Sequence, residues 1–114
     1  MKKKLPSKKS IKNKLDKLVG ARCRSLGYCE RCGSKELLQW CHVSSRRYLS
    51  TRWDEDNYVC MCASCHFWQG LNPTLWTEWF DGKFPGRLKR LHAKLQKGET
   101  WDRHRMIKLY DELS

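Results

Sequence analysis

The sequence of 114 residues lacks a long hydrophobic run, contains only three prolines and has half as many acidic as basic residues. No stretch approaches the roughly 18 apolar residues that cross a bilayer, so we expect no membrane span. No apolar segment follows the basic start, as one would in a secretory signal, so the expected location is cytoplasmic. Thirteen aromatic residues and seven cysteines argue against a disordered chain. The length suits one small domain.

Positive charge is concentrated toward the two ends of the chain. The formal net charge is +12, and residues 1–28 carry ten Lys or Arg against one Asp. Residues 83–108 carry nine Lys or Arg against two acidic residues, whereas residues 29–82 are slightly acidic. Basic flanks favour a polyanionic partner because Lys and Arg displace counterions from phosphates. For residues 1–9, a merely solubilising tail is the alternative interpretation.

The cysteines have the spacing of a metal site. Seven is an odd number, so complete pairing into internal disulfides is excluded, and clustered cysteines in a reducing compartment typically bind metal. Two C-x-x-C pairs each place two sulfurs on one tight turn, and two such turns complete a tetrahedral zinc site. Gly33 fits a knuckle turn that needs positive φ. The predicted ligands of a structural Zn²⁺ are Cys29, Cys32, Cys62 and Cys65.

The pattern along the chain predicts an α+β domain. Cys23 on a helix and Cys60 on a strand are expected to be structural. Trp76, Trp79 and Phe80 are expected to form one face of a helix that begins at Pro73 and to pack in the core of the domain. A basic flexible tail is predicted at 1–9, followed by a helix that is capped by Ser10 and ended by Gly27. Strands are predicted at 37–43 and 57–61, with a surface loop at 44–56 between them. Further helices are predicted from the second knuckle to Gly70, from Pro73 onward, at 87–97 and at about 101–113.

Three further residues carry the chemistry of phosphodiester hydrolysis. This reaction needs a base for water, a cation for the developing charge and fixed geometry. A neutral histidine such as His42 has the pKa range of a base, and His66 at the start of a helix could bind a divalent metal. Asn57 could brace the loop that carries the base without adding charge. A hairpin followed by a helix is expected to bring all three to one face.

At these positions the chain resembles the HNH endonucleases, whose ββα-metal motif has a first His, a middle Asn and a last His. The matching residues are Cys29-x-x-Cys32, Trp40-Cys41-His42, Asn57 and Cys62-x-x-Cys65-His66. The resemblance covers about residues 27–73. It implies a small zinc-stabilised ββα-metal core flanked by basic α-helices, within a single domain at 10–114 and with a helical extension at 74–114. The longer match is similar to small phage and prophage nucleases, some of them NinG-like recombination proteins.

The resemblance implies a metal-dependent DNA endonuclease. His42 would be the general base, Asn57 would position it, and His66 would hold a catalytic ion such as Mg²⁺ or Mn²⁺. Cleavage of double-stranded or branched DNA would leave 5′-phosphate and 3′-hydroxyl ends. Phage recombination, replication or packaging in a bacterial host would be the setting. The basic residues expected to contact DNA are Arg46, Arg47, Arg52, Lys8, Lys9 and Lys12.

Two positions depart from the family pattern. Many HNH enzymes have Asp or His immediately before the base, where this chain has Cys41, and some have a further His ligand where it has Gly70. The Cys41 thiolate could be the second ligand of the catalytic ion, or the neutral thiol could pack beside the strand, which is the favoured alternative. The rival function is a noncatalytic zinc-knuckle module that binds nucleic acid.

Overall fold

A two-stranded antiparallel sheet forms the middle of the chain and carries helices on both of its faces. The structure is a computed structural model that describes residues 4–114, so the first three residues of the predicted tail lie outside it. The α+β fold class is confirmed. The helices and strands are α1 (Lys8–Arg24), β1 (Leu38–His42), α2 (Leu49–Arg52), a 3₁₀ turn (Glu55–Asn57), β2 (Tyr58–Cys62), α3 (Ala63–Leu71), α4 (Pro73–Lys83), α5 (Arg87–Lys97) and α6 (Arg103–Leu113).

The register of the sheet decides which side chains share a face. Cys41 pairs with Val59 and His42 pairs with Tyr58. Because side chains alternate along a strand, Cys41 and Val59 face one way, toward the core beside α3 and α4. Trp40 and Tyr58 face the other way, toward α1 and α6. The sheet therefore separates two hydrophobic clusters.

The cluster on the α3 and α4 side combines aromatic residues with the cysteines. Trp76 and Phe80 are buried, their rings stack at 5.3 Å between centroids, and Trp76 Nε1 lies 3.3 Å from the Met61 sulfur. Trp79 packs against them while half-buried. The predicted core role of the α4 aromatics is confirmed. Asn72 and Pro73 also begin α4 as predicted, although the Asn72 side chain donates to Trp68 O of α3 instead of capping α4.

The cluster on the other side is built on the apolar face of α1. Ile11, Leu15 and Val19 recur every four residues, so they lie on one side of the helix and are all buried. They pack with Trp53 and with Met106 of α6. None of the helices described over residues 4–114 is long and apolar enough to cross a membrane.

Three predicted boundaries are wrong. Helix α1 ends at Arg24, with Ser25 as its C-cap, before the predicted end at Gly27. Helix α1 begins at Lys8, and its N-cap is Ser7, whose hydroxyl accepts a hydrogen bond from Ser10 N at 3.1 Å. Part of the predicted flexible tail is therefore helical. The segment 44–56 is not a plain surface loop either. It contains α2 and the start of the 3₁₀ turn, and Thr51 and Trp53 are buried within it, with Trp53 packed against α1 and α6.

Candidate functional site

The four predicted cysteines converge on one point. The sulfurs of Cys29, Cys32, Cys62 and Cys65 all lie within 4.8 Å of one another. The Cys32 and Cys62 sulfurs are 3.6 Å apart, close to the roughly 3.8 Å that tetrahedral Zn–S bonds of about 2.3 Å require. Four thiols at these distances could hold a metal ion such as zinc.

Local backbone geometry shapes the first knuckle. Gly33 has φ of 82°, as its place after a C-x-x-C pair predicts, and its N–H donates to Cys29 O at 2.8 Å. Glu30 fixes the turn to β2, because its N–H donates to Cys60 O and its carboxylate accepts from Cys60 N, both at 2.8 Å. The two knuckles are thereby held together through the strand that leads into the second.

The cysteine cluster holds protons when no metal is bound. Burial and the neighbouring sulfurs raise the pKa of Cys65 to about 12. Burial also opposes ionisation of Cys29, but hydrogen bonds from the backbone of Cys62, Cys32 and Arg31 lower its pKa to about 6. Metal binding therefore releases at least the Cys65 proton.

Arg31 supports the cluster from outside. Its Nη1 lies 3.4 Å from the Cys65 sulfur, and its guanidinium stacks 3.7 Å from the centroid of the Trp68 ring. A cation at this place offsets the negative charge of a metal bound by four thiolates.

His42 is held in one tautomer. Its Nε2 lies 3.0 Å from Arg52 O, and since a carbonyl only accepts, Nε2 carries the proton. Nδ1 has no hydrogen-bond partner among the described residues and is not buried. Burial, together with the positive charges of Arg46 and Arg52, lowers the pKa of His42 to about 4. The imidazole is therefore neutral at pH 7 and offers a free Nδ1.

Asn57 braces the segment that follows His42. Its side chain is fully buried, and Oδ1 accepts from Ser44 N at 2.6 Å. Its Nδ2 donates to Thr51 O at 2.9 Å and to Ser44 O at 3.3 Å. The amide thus ties the start of this segment to α2.

His66 and Cys41 lie on the other side of β1 from His42. His66 Nδ1 is 2.7 Å from Gln39 Oε1, and Gln39 and Cys41 share the strand face toward α3. The His42 ring instead lies 4.2 Å from the Trp40 ring, on the face toward α1. The structure does not bring the three predicted catalytic residues to one face.

The side chains near α3 do not form a ready site for a second divalent ion. The Cys41 thiol is fully buried, burial raises its pKa to about 12, and it donates to Gln69 Oε1 at 3.0 Å. Burial lowers the pKa of His66. These groups are neutral and paired with amide side chains, with no carboxylate that suits Mg²⁺. Over residues 4–114, the four-cysteine cluster is the only group of three or more His, Cys, Asp or Glu placed for a metal.

The six predicted DNA-contacting residues line one groove. Its volume is about 600 Å³, and it runs between α1 and the segment 46–52. A second depression shares Lys9 and Asn13 with it and continues along α1 past Lys14 and Lys17. The residues of this basic groove are Lys8, Lys9, Lys12, Asn13, Arg46, Arg47, Leu49 and Arg52.

Asp16 is the site residue that sequence reasoning missed. Its Oδ1 accepts from Arg52 Nε and from Trp53 Nε1, each at 2.9 Å, and its Oδ2 accepts from Arg52 Nη2 at 2.6 Å. Burial would raise the pKa of Asp16, but these hydrogen bonds and the charges of Arg52 and Arg46 lower it. The one available sequence clue was its place as the single acid among ten basic residues in 1–28.

Comparison with known proteins found no match. No family model, no curated protein and no solved structure matches this chain. The resemblance to HNH endonucleases therefore rests on the residues quoted from the sequence.

Proposed function

We propose that this protein is a zinc-stabilised, HNH-type endonuclease that binds DNA in the basic groove and hydrolyses its phosphodiester bonds. Cys29, Cys32, Cys62 and Cys65 hold the zinc, which fixes the hairpin to α3. The basic groove binds the phosphate backbone, and His42 acts as general base. A phage or prophage nuclease acting on duplex or branched DNA in a bacterial cell fits this activity.

The state of His42 carries the proposal. A general base must be unprotonated, oriented and reachable by water. His42 is neutral, its Nε2–H is bound to the Arg52 carbonyl, and its Nδ1 remains free to take a proton. Arg52 also lines the basic groove, so the residue whose carbonyl holds the base borders the surface that suits phosphates. A histidine serving only to fill the core would need neither the free nitrogen nor this neighbourhood.

A noncatalytic nucleic-acid-binding module is the second candidate. It is favoured by the pairing of Cys41 with Gln69 and of His66 with Gln39, which occupies the donors expected to hold a catalytic ion. Both candidates require the zinc and the basic groove. They differ only in whether DNA is cut.

Removal of one zinc ligand tests the metal part of the proposal. Cys29→Ser is expected to abolish stoichiometric zinc and to unfold the domain, because a structural zinc contributes about 10 kcal/mol or more of binding free energy. Metal analysis and circular dichroism measure both effects. Cys23→Ser is the matched control, since Cys23 is buried but lies outside the cluster, and it should keep one zinc per chain. A folded Cys29→Ser protein with a full zinc content would contradict the assignment.

Cleavage assays with the zinc-bound protein test the catalytic part. Linear, forked and four-way DNA are each incubated with Mg²⁺ or Mn²⁺. His42→Ala should lower the cleavage rate by at least about 100-fold while DNA binding changes little. Because the His42 ring packs on Trp40, circular dichroism and zinc content check that the variant is folded. His92→Ala, which removes an exposed histidine from α5, is the matched control and should cut normally.

The pH dependence sharpens the same test. Because the pKa of His42 is lowered to about 4, the base is unprotonated at all higher pH values. The rate should therefore not fall between pH 8 and pH 5, and should fall only as the pH approaches 4. Loss of activity near pH 6.5 would assign the base to another group. Metal-independent DNA binding without any cleavage would establish the noncatalytic module instead.

A further inference from the structure

We propose that Asp16, a residue of α1 outside the HNH-like core, is a positioning residue that sets the tautomer and orientation of His42 through Arg52. The predicted effect of Asp16 on the cleavage rate rests on the proposed function, whereas its predicted effect on the tautomer of His42 does not. Asp16 lies 26 positions before His42 in the chain, and it neither hydrogen-bonds to the base nor lines the basic groove itself.

The connection from Asp16 to His42 runs through the side chain and the backbone of Arg52. Asp16 grips Arg52 with both carboxylate oxygens, at 2.9 Å to Nε and 2.6 Å to Nη2. The remaining terminal nitrogen of Arg52, Nη1, donates to Arg46 O at 2.8 Å. The carbonyl of Arg52 in turn accepts from His42 Nε2 at 3.0 Å. Arg52 is thus fixed at its side chain by α1 and fixes His42 with its backbone.

The negative charge of Asp16 is neutralised by the guanidinium of Arg52. Its side chain is only 19% exposed, and Arg52 is only 13% exposed, so their bidentate pair is largely shielded from water. Such a fork holds a guanidinium in one plane better than a single contact does. Arg52 therefore acts as a support for the base. The lysines of the basic groove and Arg47 make no ion pair among the described residues, whereas Arg46 lies 3.5 Å from Asp16 Oδ2.

The tautomer matters because only one imidazole nitrogen can accept the proton of water. With Nε2–H bound to the carbonyl, Nδ1 is the basic atom. Loss of the contact with Asp16 frees the Arg52 side chain and with it the backbone at the end of α2. If the Arg52 carbonyl then turns away, Nε2 loses its acceptor and the two neutral tautomers become similar in energy. A fraction of the molecules then carries the proton on Nδ1, and the base in those molecules points the wrong way.

The experiment reads the tautomer directly. The ¹⁵N chemical shifts of the His42 ring are measured in the zinc-bound protein near pH 7 for the wild type, Asp16→Asn, Arg52→Met and the double variant. The amide introduced by Asp16→Asn would keep an oxygen for Trp53 but present an N–H to Arg52, which breaks the fork. Asp81→Asn, which changes an exposed carboxylate of α4, is the matched control.

The wild type and Asp81→Asn should show Nε2 protonated, whereas Asp16→Asn and Arg52→Met should show a mixture of tautomers. In cleavage assays, Asp16→Asn should lower the rate at saturating DNA about 10- to 100-fold and change half-saturation less than about threefold. The double variant should be no worse than Arg52→Met, because both substitutions break one chain of contacts.

An unchanged tautomer in Asp16→Asn overturns the inference, as does an additive loss in the double variant. If Asp16→Asn does not fold, as judged by zinc content and circular dichroism, Arg52→Met tests the same chain of contacts from its other end, and an unchanged tautomer there also overturns it. If the wild type does not cut DNA while Asp16→Asn still shifts the tautomer, the proposed function fails and the positioning role of Asp16 stands.

Discussion

Helices α1 and α5 are both strongly basic, yet the structure uses their charges differently. In α1, Lys8 and Lys9 are exposed and line the basic groove. In α5, Lys94 lies 2.8 Å from Asp54 and 2.9 Å from Asp56, and Arg90 lies 3.1 Å from Asp56. The basic side of α5 therefore binds the acidic turn of its own chain.

This difference predicts that α1 contributes more than α5 to DNA binding. The acidic segment 54–56 looks like a solvated surface run in the sequence, but it is the counterpart of α5. Arg87 adds to the contact, since its Nη2 donates to Tyr58 O at 2.8 Å. Net charge counts residues, whereas attraction for phosphate depends on the charges that remain without an internal partner.

The difference between α1 and α5 should be largest in DNA binding, when two positive charges are removed from one helix or from the other. Lys8→Gln/Lys9→Gln and Arg90→Gln/Lys94→Gln each remove two positive charges. The α1 variant should lose about two units of the slope of log affinity against log salt, because each phosphate contact contributes about 0.9. The α5 variant should lose less than about one unit. Fluorescence anisotropy over a range of salt concentrations measures both slopes.

Equal slopes for the two variants would contradict the proposed difference and would mean that α1 and α5 contribute equally to DNA binding. Because both variants have the same net charge, a general effect of charge on DNA affinity cancels between them. Thermal melting should show the opposite order, with the α5 variant less stable, since it loses contacts to Asp54 and Asp56.

Much of the fold is predictable because its determinants are local in the sequence. The two C-x-x-C pairs fix the cysteine cluster, alternation predicts the two strands, and leucine spacing predicts α5 at the residues where it lies. The start of α1 was missed because Ser7 and Ser10 are both good N-caps, and the local sequence does not choose between them.

The candidate site is less predictable because its contacts are long-range. Asp16 meets Arg52 across 36 positions, and Cys41 meets Gln69 across 28. No periodicity or motif links such pairs. The sequence motif pointed to His42, Asn57 and His66 as candidate residues. That His42 and His66 have separate neighbours follows only from the structure, in which α1 and α3 pack on opposite faces of the sheet.

The contact between α5 and the acidic turn also makes a smaller prediction about stability. Asp56→Asn removes the shared partner of Arg90 and Lys94 and should lower the free energy of unfolding by about 1 to 2 kcal/mol. The effect is modest because both cations are partly exposed, with Arg90 55% and Lys94 41% accessible. Urea unfolding of the zinc-bound protein measures it. Glu55→Gln is the matched control, because the neighbouring Glu55 carboxylate is exposed and makes no ion pair among the described residues.

Acid should abolish this difference between the wild type and Asp56→Asn. The hydrogen bond from Arg90, aided by Lys94 and opposed by burial, lowers the pKa of Asp56 below its ordinary 3.8. A lowered pKa means that the folded state favours the ionised carboxylate, so the contribution is complete above about pH 4 and disappears as the pH falls through the folded pKa. The two proteins should therefore differ fully at pH 7 and converge below pH 4. A gap that persists in acid would mean that Asp56 acts by packing, and that α5 is not held by its charges.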